Sequence, residues 1–170
     1  GSLPGSIPSD PLYYLIAPFY VLFTSVLGEE IGWRGYVLPR LQRGLGALVA
    51  SLLLGLVWGF WHLPRFWVPG DFHRYIPPRL FMLQILAFSV LYTWLYNRTG
   101  GSLLIAYLFH TMSNATLGLL PILPADGSAS LRPLWLAVAL LMLFAVVLVR
   151  IEGARNLAPN PRVTAPDGSL

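Results

Sequence analysis

Two adjacent carboxylates, Glu29 and Glu30, precede Arg34; His62 ends a second apolar run; His110 and Asn114 lie four residues apart in a third. Residues four apart share a helix face, so Glu30 can pair with Arg34, with the acid on the favourable N-terminal side. Glu29 is turned about 100° from Glu30 and is left without an evident partner. A carboxylate and an imidazole can take protons from an attacking water, and a second imidazole with an amide can donate to an oxyanion. Taken singly, each group has a plainer reading. Glu29–Arg34 could be a stabilising salt bridge, His110 and Asn114 interhelical hydrogen bonders, and His62 a packing histidine beside Trp58 and Trp61. Other chemistries are excluded more firmly. The chain has no cysteine, hence no thiolate nucleophile, thiolate metal site or disulfide. There is no G-x-S-x-G or H-E-x-x-H, and Asp10, Asp71, Asp126 and Asp167 all fall in polar connections, outside any helix that could hold an aspartyl pair.

The elements that must position these groups are apolar throughout. Of 170 residues, 56% are hydrophobic and 11% charged, against roughly 25% charged in a soluble domain. Pro11–Leu27, Gly44–His62, Leu80–Tyr96, Thr99–Leu123 and Pro133–Val149 carry no Asp, Glu, Lys or Arg. Each approaches the roughly 17–25 residues that cross a bilayer as a helix, and they have almost no polar face. The expected fold is all-α, a polytopic transmembrane bundle of about five to six membrane helices in this chain, with the lipid bilayer as its surroundings. A leader over 1–10, a helical membrane domain over 11–150 and a flexible polar tail over 151–170 complete the organisation. The first helix is expected to run from Leu12 to near Arg40, and Arg65–Arg79 to form an interfacial loop. The chain opens on Gly1-Ser2-Leu3-Pro4, which suggests a fragment with further helices upstream. The net charge of +4 comes from eleven arginines and no lysine, scattered without the basic stripe that a nucleic acid would require. Arginine usage of this kind is compatible with a GC-rich bacterial genome and so with a bacterial plasma membrane.

Counting about 1.5 Å per helical residue from the connecting turns places Glu29, His62, His110 and Asn114 at depths of roughly 14–27 Å, within one layer. Ionisable groups at bilayer depth cost at least roughly 2.5–3.5 kcal/mol each and usually serve a function. Gly28-x-x-x-Gly32 and Gly55-x-x-x-Gly59 are expected to let the helices that carry the site approach closely.

With these residues in view, the sequence resembles the CPBP family, the CAAX-protease and bacteriocin-processing group of intramembrane proteases. Glu29-Glu30-Ile31-Gly32-Trp33-Arg34 is similar to its E-E-x-x-x-R motif. Trp58-Gly59-Phe60-Trp61-His62 resembles F-x-x-x-H, with Trp58 replacing the usual phenylalanine, and His110-Thr111-Met112-Ser113-Asn114 matches H-x-x-x-N. The resemblance spans about Tyr14 to Leu120. It implies that residues 11–150 form a membrane endopeptidase domain in which Glu29 and His62 activate water. It further implies that His110 and Asn114 form the oxyanion hole, with Glu30 and Arg34 in support. Trp58 is expected to change the volume beside the site and remove no reactive group. The implied substrate is a peptide or membrane protein, prenylated at its C-terminal tail in eukaryotic relatives. Two rival readings accompany it: a zinc metalloprotease with Glu29, His62 and His110 as ligands, and a non-catalytic scaffold or bacteriocin-immunity protein. A metal-free enzyme is favoured over zinc on two grounds. An oxyanion role needs an N–H on His110, and the helix of His110 supplies only Ser113, Ser102 and backbone to orient a metal-bound imidazole.

Overall fold

A computed structural model describes residues 11–21, 23 and 26–159. They form helices α1 (Pro11–Val21), α2 (Leu27–Glu30), α3 (Leu38–Gly44), α4 (Ala47–Trp61), α5 (Pro78–Arg98), α6 (Leu103–Leu119) and α7 (Arg132–Glu152). The all-α expectation holds. Among the described residues, three segments, Ala47–Trp67, Pro78–Arg98 and Arg132–Glu152, are long and apolar enough to cross a membrane, and Leu103–Leu119 is a shorter apolar helix.

Between α2 and α3 the helix winds as a π-helix over Ile31–Val37. Of the stretch expected as one α-helix to Arg40, the part from Leu27 is helical through to Gly44 but changes its hydrogen-bond register in the middle. Pro39 stands in the first turn of α3, where its missing N–H lets the ladder switch register at little cost. Leu45 and Gly46 then leave the helix with extended backbone, opening the turn into α4.

Helix α5 is the centre of the bundle. It packs against α4, α6 and α7, and its buried residues lie on every side of the helix, from Leu80 to Asn97. The contact with α4 is close because of two glycines. A Cβ on Gly55 would stand 2.9 Å from Ser89 Cβ, and one on Gly59 would stand 2.7 Å from Met82 Sδ. Ser89 Oγ also donates to the Ser51 carbonyl at 2.7 Å. Gly28 and Gly32 differ from expectation: a Cβ on either meets nothing within 4 Å among the described residues. The same G-x-x-x-G spacing thus seats one helix and leaves the other open, because spacing does not say which face meets a neighbour.

The stretch just after α7 also departs from the expected flexible tail. Arg155 and Ala154 carbonyls accept from Ala47 and Leu48 N–H at 2.7 and 3.0 Å, satisfying the first amides of α4 that have no partner within the helix. Leu157 is fully buried, and the Asn156 carbonyl takes a hydrogen bond from Asn97 Nδ2 at 2.8 Å. The leader over 1–10 and the tail beyond 159 lie outside the described residues.

The two glycine pairs should separate in a stability measurement. Gly55→Ala is expected to destabilise the detergent-solubilised protein by about 1–3 kcal/mol through overpacking. Gly28→Ala should leave stability unchanged or raise it by up to about 1 kcal/mol. Thermal unfolding of the two variants side by side checks this.

Candidate active site

The segment from α2 through the π-turn carries Glu29, Glu30 and Arg34. Glu30 and Arg34 are fully buried, and Arg34 Nη1 donates to Glu30 Oε1 at 2.8 Å. The same oxygen accepts from His110 Nδ1 of α6, also at 2.8 Å. A carboxylate can only accept when ionised, so Nδ1 carries the proton and Nε2 is the ring nitrogen left over. The guanidinium of Arg34 lies 4.9 Å from the Trp58 ring centre and 4.6 Å from that of Tyr92. Cation–π attraction from both rings offsets part of the loss at Nε and Nη2, which have no hydrogen-bond partner among the described residues.

Glu29 is half-buried, and its Oε2 accepts from Trp58 Nε1 at 2.8 Å. Helix α4 supplies the second imidazole. His62 Nδ1 donates to the Trp58 carbonyl at 2.9 Å, which fixes the tautomer and leaves Nε2 as a lone-pair acceptor. Glu29, His62, His110 and Asn114 all line one cavity of about 510 Å³, walled in part by Trp58, Phe81, Phe88 and Tyr92. Thus the structure brings the four predicted catalytic residues to one space, with Glu30 and Arg34 behind its wall.

Three features were not foreseen. The partner that orients His110 is Glu30, a carboxylate from another helix, where only Ser113, Ser102 and backbone of its own helix are expected. Trp58 contributes a hydrogen-bond donor as well as volume. The third is His73, in the stretch expected as an interfacial loop. It is 2% exposed, lines the same cavity and stacks on His62 with ring centres 6.0 Å apart. The signal available was the Asp71-x-His73 spacing: Asp71 Oδ1 accepts both the His73 backbone N–H at 3.0 Å and the ring Nδ1–H at 2.5 Å. Arg65 Nε donates to the other oxygen at 2.8 Å. Burial pushes the Asp71 carboxyl up, but the hydrogen bonds from His73 and Arg65 outweigh it and bring it down to about 2. Burial pushes His73 below the ordinary imidazole value, with Asp71 opposing.

Among the described residues, no three His, Cys, Asp or Glu side chains are grouped closely enough to hold a metal ion, and one oxygen of Glu29 is already engaged by the indole.

Residues 11–116 match the family model described as type II CAAX prenyl endopeptidase Rce1-like. The chain belongs to that family. It is also 29% identical over 131 residues to CAAX prenyl protease 2 of Methanococcus maripaludis, a match covering 74% of this chain and 48% of the relative. The chain thus spans about half the length of the curated relative it matches. Family and apolar helices together make it an integral membrane protein. The relative is archaeal, where the arginine-rich composition pointed to a bacterial membrane.

The Asp71 bonds give a pH test. Because its folded pKa is depressed, its stabilisation is present above the ordinary carboxylate range and is lost as pH falls through about 2. Asp71→Asn should therefore lower the melting temperature at pH 7, and the gap from the parent should close as pH approaches about 2. Unfolding scans across that range check the expectation.

Proposed function

We propose that this chain carries the catalytic core of an intramembrane endopeptidase that hydrolyses a peptide bond of a membrane-associated, CAAX-like substrate. The observation that carries the reading is the single cavity lined by Glu29, His62, His110 and Asn114. The free oxygen of Glu29 and Nε2 of His62 hold a water on the side of the scissile carbonyl. As the water oxygen bonds to the carbonyl carbon, its proton passes to Glu29 and the carbonyl becomes an oxyanion. His110 and the Asn114 amide donate to that oxyanion. For His110 this requires a proton on Nε2 as well as Nδ1, and Glu30, bonded to Nδ1, supports the resulting imidazolium. The intermediate collapses when Glu29 returns the proton to the departing amine, giving two peptides and the starting enzyme. The type II CAAX prenyl endopeptidase family match supports a C-terminal tail as substrate, prenylated or not.

A zinc-dependent version is the second reading, and one contact favours it. A carboxylate on the remote nitrogen of a histidine, as Glu30 stands to His110, is the usual outer-shell support of a metal-bound imidazole. Against it stands the indole N–H of Trp58, which already occupies one oxygen of Glu29, so the metal-free mechanism is the one proposed.

Two experiments with purified protein in detergent test the proposal, using cleavage of a peptide library and of a prenylated tail peptide. Glu29→Gln should abolish cleavage while the protein stays folded, because the amide cannot take the proton. Asn114→Ala should cut kcat by about 10²–10³-fold, as for loss of one oxyanion donor, with KM little changed. Full activity of Glu29→Gln would end the reading.

Metal dependence is checked separately. Protein stripped with a strong chelator and verified metal-free by elemental analysis should keep full activity. A dead stripped enzyme restored by one equivalent of zinc would replace the metal-free mechanism with the metal-dependent one.

A further inference from the structure

Trp58 touches both members of the water-activating pair, through different parts of the same residue. Its indole N–H donates to Glu29 Oε2 at 2.8 Å, and its carbonyl accepts from His62 Nδ1 at 2.9 Å. The carbonyl is available because α4 tightens as it ends: the His62 backbone N–H bonds to the Gly59 carbonyl at 3.2 Å in place of the Trp58 carbonyl one residue earlier, which a regular α-turn would have used. The ring itself is fixed. Trp58 is 2% exposed. The Arg34 guanidinium lies over one face, and His110 meets the ring nearly edge-on with centres 5.3 Å apart and planes at 78°. Tyr92 packs at 5.8 Å. Rotation of the indole would break these contacts together.

We infer that Trp58 is a positioning residue of the reaction, setting which Glu29 oxygen and which His62 nitrogen face the water. The inference rests on the reading of Glu29 and His62 as the pair that activates water. By occupying Oε2 with an N–H donor, the indole leaves the other carboxylate oxygen to accept the proton. By accepting from Nδ1–H, the carbonyl leaves Nε2 unprotonated. A carboxylate without its donor is free to turn about its terminal torsion, and misplacement of a reacting group by about 1 Å costs on the order of 10²-fold in rate. A hydrogen bond to a charged group is worth a comparable factor, about 10- to 100-fold.

The test removes the N–H and little else. Trp58 is replaced by 3-benzothienylalanine, in which sulfur takes the place of the ring N–H, and in parallel by phenylalanine; both keep the backbone carbonyl that holds His62. The expected result for each is a kcat lower by about 10- to 100-fold with KM within about two-fold of the parent. The indole 15N–H resonance of Trp58 in the parent protein should move on Glu29→Ala, as it must if that carboxylate is its acceptor. Parent kcat in the isostere, or an indole resonance indifferent to Glu29→Ala, would overturn the assignment. Equal changes in kcat, KM and melting temperature would also overturn it, by making Trp58 a packing residue. Glu29→Gln, measured alongside, separates the failures. If it is inactive while the isostere is fully active, only the role of Trp58 falls; if it is active, the proposed mechanism falls with it.

Discussion

One buried oxygen organises this molecule. Glu30 Oε1 accepts from Arg34 and from His110 at the same distance of 2.8 Å, and so ties the π-wound segment to α6. Removing charges from water costs several kcal/mol per ion even after relaxation, and the surroundings offset that cost in specific ways. Trp58 from α4 and Tyr92 from α5 lie on the guanidinium, so four elements converge on one ion pair. Breaking such a cluster strands a charge in an apolar interior, which is why its geometry is held more tightly than a surface pair would be.

The rest of the bundle keeps that cluster in place. Gly55 and Gly59 let α4 lie against α5 at a separation that side chains would forbid, which brings Trp58 and Tyr92 to the same guanidinium. At the far end, Gln42 and Asn97 exchange amide hydrogen bonds at 3.2 and 2.7 Å and join α3 to α5. Asn97 spends its other N–H on the turn after α7. These contacts join the helices at the end away from the cavity.

Around that cavity, groups buried behind the wall differ from groups that reach the open space. Glu30 and Arg34 are fully buried and hydrogen-bonded to each other. Glu29, one residue from Glu30, is half-buried and reaches the cavity. Two adjacent carboxylates thus meet different surroundings, because successive helical residues point about 100° apart. His73 and its Asp71 partner add a second oriented imidazole next to His62, so the polar lining extends toward the loop between α4 and α5.

The sequence by itself determined the helical class, from five uncharged stretches with almost no polar face, and the polar residues that stand out against them. It also determined the Glu30–Arg34 pairing, because that contact lies within one turn. Local spacing fixes local geometry. What only the tertiary structure decided are contacts between helices: Glu30 with His110, Trp58 with Glu29, and His73 in the cavity wall. Helix periodicity leaves each helix free to rotate about its axis and slide against its neighbours, so no spacing could tell Gly55 and Gly59, which seat α5, from Gly28 and Gly32, which meet nothing within 4 Å among the described residues. The docked turn after α7 belongs to the same class. Its polar, proline-containing sequence reads as a loose end, and only the unpaired amides at the start of α4 give its carbonyls somewhere to bind.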